Sequence, residues 1–239
     1  MVPVSAFSNT ESSHAVQFYE TDEALLNRLS EFAGSALGGG GACIIVATRS
    51  HARSLELRLL RRGLDLDQME GDGRFQLLDA GVTLDSFMRN GEPDELSFFA
   101  IIEEVLSKAS ASVLGAKGRV AVFGEMVALL RAEGKTEMAI RLEQMWNRVG
   151  KRHPFSLLCA YPMQSFSREE DQIAFKHICA EHTHLLPCES YGELLNEPSR
   201  LQKICELQQR SQMLQGEMSR RKKAEEALKN YEYLARFVN

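Results

Sequence analysis

The 239-residue sequence has no apolar run approaching the roughly 18–20 residues that a helix needs to cross a bilayer, so no membrane partner is expected. It also lacks an excess of basic charge. With a formal net charge of −5 it has no general basic face with which to displace counterions, which argues against nucleic acid as a partner. Its cysteines number only five, an odd count without disulfide-scaffold spacing, and this points to a reducing, cytoplasmic compartment. The opening MVPVSAFSNTESSH has neither a basic n-region nor an apolar h-region and is not expected to act as a secretion signal.

Motifs for several chemistries are missing too. No Gly-x4-Gly-Lys-Ser/Thr loop, no GxGxxG and no Gly-x-Ser-x-Gly occurs, and neither a phosphoacceptor-histidine motif nor a kinase ATP-binding motif is present. These 239 residues are therefore expected to be non-enzymatic, with no catalytic residue to assign and no cofactor named by the sequence. What remains is an ordinary globular composition, 44% hydrophobic and 26% charged, enough for one sizeable domain with an appendage or for two small domains.

After a small, polar tail over residues 1–13, which is expected to be disordered, short apolar runs alternate with helical patterns. Ala15–Tyr19, Ala42–Thr48, Phe75–Asp79, Val120–Gly124 and Phe155–Tyr161 are mostly continuous apolar runs, as strands covered on both faces should be. Between them Asp22–Leu37, His51–Arg62, Pro93–Leu114, Thr136–Val149 and Arg168–His182 carry helical spacing. This alternation predicts an α/β domain over residues 14–197, a mostly parallel sheet flanked by helices. From 198 to 239 the chain turns to Gln, Glu, Lys, Arg and Leu, with net basic charge and one glycine, Gly216. Leu207, Leu214, Arg221 and Leu228 fall seven apart and Ile204, Ser211, Met218, Glu225 and Glu232 form a second, degraded seam. Such a helix cannot bury its stripe on itself; a coiled coil with a second copy through 200–239 is the expected partner, a single solvated helix the alternative.

The run Gly38–Gly41 follows a helix and precedes a strand with no lysine after it, so it reads as a helix cap and a tight turn rather than a phosphate loop. Ligands of open α/β sheets sit outside the carboxyl ends of the strands. There the sequence puts Tyr19 with Asp22, Thr48, Asp79, Glu125 and Tyr161, and His14 at a strand start and Trp146 on an amphipathic helix complete the candidate ligand-binding set. Asp22, Thr48 and Asp79 can equally serve as helix or turn caps, and Trp146 as core. Cys179, His182, His184 and Cys188 offer four zinc-type ligands within ten residues, although the spacing is that of no standard finger, and core and capping roles are the alternative.

His14, Gln17, Phe18, Tyr19, Glu20 and Asp22, then Phe123 to Val127, then Arg141, Leu142, Glu143, Trp146 and Asn147, and finally Phe155 to Pro162 form an ordered set that resembles the MEDS domain, named after methanogen and methylotroph regulators including a dichloromethane-responsive repressor. The resemblance spans about His14 to Leu195 and implies a RecA-like α/β fold without a working P-loop that senses small organic compounds or relays signals in regulators and histidine kinases. Arg220 to Leu228 followed by Tyr233 to Asn239 is similar to the helix that leads into a PAS domain in sensor kinases, which implies a sensory piece of something longer. The expected function is thus a cytoplasmic input module that binds a small ligand or partner at the strand ends and passes the change through the helix root near 193–201 to a dimeric coiled coil. A divergent RecA-like nucleotide-binding domain, a metal or redox sensor built on Cys179, His182, His184 and Cys188, and a pure interaction scaffold are the competing expectations.

Overall fold

The computed structural model describes residues 12–115, 118–192 and 197–235. Residues 1–11 of the expected tail, 193–196 of the helix root and the last four residues of the PAS-leading string lie outside the described residues. In chain order the elements are β1 (Ser13–Tyr19), α1 (Asp22–Gly38), β2 (Ala42–Ala47), α2 (Arg49–Arg61), α3 (Leu66–Gly71), β3 (Phe75–Asp79), α4 (Ala80–Phe87), the two-stranded β4 (Met88–Arg89) and β5 (Glu92–Pro93), and α5 (Glu95–Ala111). They continue with β6 (Val120–Gly124), α6 (Met126–Ala132), α7 (Thr136–Gly150), β7 (Ser156–Pro162), a 3₁₀ turn at Met163–Phe166, α8 (Asp171–Ala180), β8 (His184–Leu186), α9 (Glu189–Gly192) and α10 (Glu197–Ala235). The chain divides between Gly192 and Glu193 into two compact units.

The strand order of the main sheet is β3-β2-β6-β7-β1-β8, with every pairing parallel. The apolar strands are buried on both faces, so their side chains sort by the two-residue repeat alone. Val16, Phe18, Ile44, Val46, Val122, Leu157, Cys159 and Tyr161 join the core beneath α4 to α8. Their sequence neighbours Ala15, Tyr19, Cys43, Ile45, Phe123, Leu158 and Ala160 join the core beneath α1, α2 and α3. The result is a three-layer α/β/α domain.

Several helices differ from the periodicity-based expectation for local reasons. Pro93 is taken into the β4–β5 pair opposite Met88, and Asp94 then accepts the Ser97 amide at 2.9 Å, so α5 begins at Glu95 rather than at Pro93. The apolar run Met126–Leu130, directly after Glu125, forms most of α6. β8 has only three residues, two of them exposed, and carries too weak an apolar signal to stand out in the sequence. In the second unit α10 exposes Ile204, Leu207, Leu214, Met218 and Leu228. No helix among the described residues is long and apolar enough to cross a membrane.

Gly38–Gly41 closes α1 and turns directly into β2. The Gly39 amide returns to Ser35 O and the Gly41 amide to Ala36 O at 2.9 Å, while Gly40 takes φ +76°. A Cβ on Gly41 would stand 2.3 Å from the Arg119 carbonyl oxygen and 2.9 Å from both the Arg119 nitrogen and the Ala36 oxygen, all backbone atoms that cannot swing aside. A Cβ on Gly38 meets nothing within 4 Å. Gly41→Ala is therefore expected to destabilise the domain by about 3 kcal/mol, whereas Gly38→Ala should stabilise it by up to about 1 kcal/mol through helix propensity. Chemical denaturation of the two variants checks the contrast.

Candidate functional site

Two polar clusters interrupt the apolar layers. The first lies where β2 and β6 end. Glu125 follows β6 directly, and its amide reaches across to Val46 O of β2 at 3.0 Å, which fixes the side chain over the gap between the two strands. The Glu125 side chain is only 4% exposed. One oxygen accepts the Thr48 amide at 2.7 Å, and the other accepts a hydrogen bond from His51 Nδ1. His51 enters this position because it shares the buried stripe of α2 with Leu55 and Leu59, four and eight residues on. Its Nε2 faces Asp22 Oδ1 at 3.4 Å, and Asp22 lies in the first turn of α1 with most of its side chain in solvent. Acid, imidazole and acid thus run from the interior to the surface.

The electrostatics follow from this order. The hydrogen bond to Glu125 outweighs burial and, with the charges of Glu125 and Asp22, raises the His51 imidazole above its ordinary value of 6.5. Burial, reinforced by the same two carboxylates, pushes the Tyr19 phenol up. Asp79 stands apart from this group. It caps α4 through the Val82 amide at 3.0 Å and accepts Arg49 Nε at 3.0 Å, and these donors, the amide first, hold its carboxyl below the ordinary value. Thr48 precedes α2, but its hydroxyl caps no amide; its amide, not its side chain, serves Glu125.

The second cluster lies in the layer between β1, β7 and α7. Glu143 projects from the buried stripe of α7, between Ala139 and Trp146, and its side chain has no exposure. Cys159 and Tyr161, in phase on β7, approach from the sheet: the Cys159 thiol donates to Glu143 Oε2 at 3.2 Å and the Tyr161 hydroxyl to Oε1 at 2.8 Å. His14 of β1 brings Nε2 to 3.2 Å from Oε2, and His182, just after α8, brings Nε2 to 3.5 Å from Oε1. Burial pushes the Glu143 carboxyl up, but the His182 and His14 imidazoles outweigh it and hold the group well below the usual carboxylate range. Burial, and then the Glu143 charge, push the Cys159 thiol and the Tyr161 phenol well above theirs.

The sequence-derived candidates therefore divide. Tyr19, Thr48 and Glu125 meet at the strand ends, and Asp79 sits at the end of β3 with Arg49. His14 and Tyr161 instead belong to the buried cluster. Trp146 is a core residue, edge-to-face with Phe98 at 5.1 Å, and also borders a groove of about 260 Å³ beside His14, Asn147 and Thr183. Of Cys179, His182, His184 and Cys188, only His182 joins a group of potential ligands among the described residues. Cys179 is half-buried on α8, His184 is exposed on β8, and the Cys188 thiol faces Glu20 at 3.4 Å. His51 and Glu143 are not among the candidate ligand or metal residues read from the sequence, although Glu143 lies in one of the strings that carry the family resemblance. Both lie on apolar helical stripes, and a charged or titratable residue on such a stripe was the available signal.

A parallel sheet covered by helices on both faces, with a polar cluster outside the carboxyl ends of two adjacent strands, defines a three-layer α/β domain of the open-sheet class. Within that class the chain belongs to the MEDS family: the model of the MEthanogen/methylotroph, DcmR Sensory domain matches residues 13–178. Among curated proteins none matches the chain.

The raised His51 value has a measurable consequence. Its stabilising contribution is fully present below the unfolded value of about 6.5 and is lost as pH rises through the folded value. The stability difference between the unsubstituted chain and His51→Gln is expected to be larger at pH 6 than at pH 9 in denaturation experiments. A difference that does not change with pH would contradict the Glu125–His51 assignment.

Proposed function

We propose that this chain is the cytoplasmic sensory input module of a sensor histidine kinase, and that it responds to a small organic ligand at the carboxyl ends of β2 and β6. Membership of a sensory-domain family supports the input role. The observation that carries the site is the Glu125–His51–Asp22 chain, which connects a buried carboxylate to the surface through one titratable ring. Glu125 also grips the backbone at Thr48, so a ligand that competes for His51 or Asp22 changes the balance of bonds that fixes the start of α2. A ligand with different affinity for two such arrangements shifts their populations, which is the whole thermodynamic content of sensing.

Transmission by a parallel pair of α10 helices completes the reading. An isolated helix is marginal in water, and α10 carries exposed Ile204, Leu207, Leu214, Met218 and Leu228 at coiled-coil spacing. The imperfect seam suits a device that changes register or crossing angle, because two packings of such a seam lie closer in energy than those of an ideal one. A nucleotide-binding role has less support, because no P-loop lysine is available to hold phosphates.

Native mass spectrometry of the purified chain tests both halves, with thermal melts against dichloromethane, short-chain alcohols and amines. A dimer whose melting temperature rises with one of these compounds, and a response weakened about tenfold or more in Glu125→Gln, is the expected result, in line with loss of a charge-assisted hydrogen bond. A chain that stays monomeric at high concentration removes the coiled-coil relay. A melting temperature that responds to ATP but to no organic compound would favour the nucleotide reading.

A further inference from the structure

We propose that the buried cluster is a metal site in which His14 Nε2, His182 Nε2, Cys159 Sγ and Glu143 bind one zinc-type divalent ion. This inference stands apart from the sensory reading of the strand ends. It also draws on a residue, His182, that lies beyond the part of the chain matched by the family model.

The tautomers carry the first step. His14 Nδ1 lies 2.8 Å from Asn147 Oδ1, and Asn147 is held in that orientation because its amide nitrogen donates to the Glu181 backbone carbonyl at 2.9 Å and to the Glu181 carboxylate at 3.0 Å. An amide oxygen only accepts, so His14 Nδ1 carries a proton. His182 Nδ1 lies 2.6 Å from the Ile178 carbonyl oxygen and donates for the same reason. In each neutral ring the remaining nitrogen, Nε2, is then a lone pair. Both Nε2 atoms face the Glu143 carboxylate, so each carries either a proton or a metal ion there, and a bound divalent ion takes the place of the ring protons. Fixing Nδ1–H on a carbonyl so that Nε2 is free to ligate is the usual outer-shell arrangement of metal-bound histidine.

The second step is an orphaned atom. His182 has no side-chain exposure, yet its Nε2 makes no hydrogen bond, and Glu143 Oε1 stays 3.5 Å away. A buried polar nitrogen left unsatisfied is costly and rare in native structures.

Distances and charge supply the third step. A tetrahedral zinc ion with nitrogen and oxygen ligands near 2.0–2.1 Å and sulfur near 2.3 Å has ligand atoms about 3.3–3.6 Å apart. The separations are 3.2 Å for His14 Nε2 to Glu143 Oε2, 3.2 Å for Cys159 Sγ to the same oxygen and 3.4 Å for His14 Nε2 to Cys159 Sγ, while His182 Nε2 lies 3.5 Å from the other oxygen, Oε1. All four ligand atoms lie within 4.8 Å of one another. Two imidazoles and a thiolate exclude magnesium and calcium, which take oxygen ligands, and select a borderline-soft ion. On binding, the Cys159 thiol loses its proton to solvent; the dipositive ion, the thiolate and the carboxylate then sum to zero net charge in a dry layer. The Tyr161 hydroxyl donates to Glu143 Oε1 and orients the carboxylate as a further outer-shell group. A groove bordered by Asn147 and Thr183 runs along His14, one of the four ligands.

The experiment is a cobalt titration of the full chain, purified under reducing conditions and stripped with chelator. Saturation at about one Co²⁺ per chain is expected, with tetrahedral visible bands and a thiolate-to-cobalt charge-transfer band. Zinc should displace the cobalt and raise the melting temperature. Cys159→Ser should lose the charge-transfer band while keeping a weakened ligand-field spectrum, and Cys179→Ser and Cys188→Ser should keep both. If the stripped chain stays folded by circular dichroism and shows no saturable cobalt spectrum, the proposal fails. It fails equally if the charge-transfer band survives Cys159→Ser and disappears in Cys179→Ser or Cys188→Ser.

Discussion

A single carboxylate with no access to water organises one half of the domain. Glu143 cannot be accommodated in an apolar layer unless every group around it answers its charge, since an uncompensated buried ion is among the most destabilising features a core can contain. Its neighbours come from β1, β7, α7 and the turn after α8, segments spread over most of the sequence. β7 cannot shift against α7 without breaking a hydrogen bond to these oxygens, and β1 and the turn after α8 set their imidazoles against the same pair. The apolar packing of the layer sets the distance between helix and sheet, and the carboxylate sets their register.

The strand-end cluster obeys a different economy. Glu125 is buried as well, but its chain of partners leads outward through His51 to Asp22, so its charge communicates with solvent. One cluster is thus closed by protein on all sides and the other is open at one end. The sheet places them in separate regions because its two faces are filled by alternate residues: in β1, His14 turns toward α7, whereas Tyr19, five residues on, turns toward α1. A strand that contributes to both clusters does so without bringing them into contact.

Much of this was legible in the sequence because it depends on short-range periodicity. Continuous apolar runs separated by three-four spacing marked the five principal strands and their parallel character, and the absence of a lysine after Gly41 disposed of the phosphate loop. Glu125 stands out as a candidate in the sequence because it interrupts an apolar stretch. Partnerships were harder. Nothing near Glu143 in the chain announces that it will meet residues from positions 14 and 182, because sequence separation carries no information about strand order, and β1 lies between β7 and β8 only once the whole sheet has assembled. The Cys179-to-Cys188 segment shows the converse error of proximity: four ligand-type residues lie close in sequence, but β8 and the turns beside it send their side chains in different directions. His51 was hidden by its position at a helix start, where a buried titratable ring looks like the first residue of an ordinary amphipathic pattern.

β1 is also tied at both ends to the last part of the domain. At its start, His14 and Thr183 exchange three bonds: the Thr183 amide and hydroxyl reach His14 O at 2.7 and 2.8 Å, and the His14 amide reaches the Thr183 hydroxyl at 3.0 Å. Beyond its other end, the Glu189 carboxylate accepts the amides of Glu20 and Thr21 at 3.0 and 2.8 Å, while the Ser190 hydroxyl and the Cys188 thiol donate to Glu20. The segment from Thr183 to Ser190 is therefore a strap buckled twice onto one strand, with a three-residue ladder between the buckles. In hydrogen-exchange language, the protection of this strap and of β1 should rise and fall together, so that the first strand and the last strand of the sheet open as one cooperative unit.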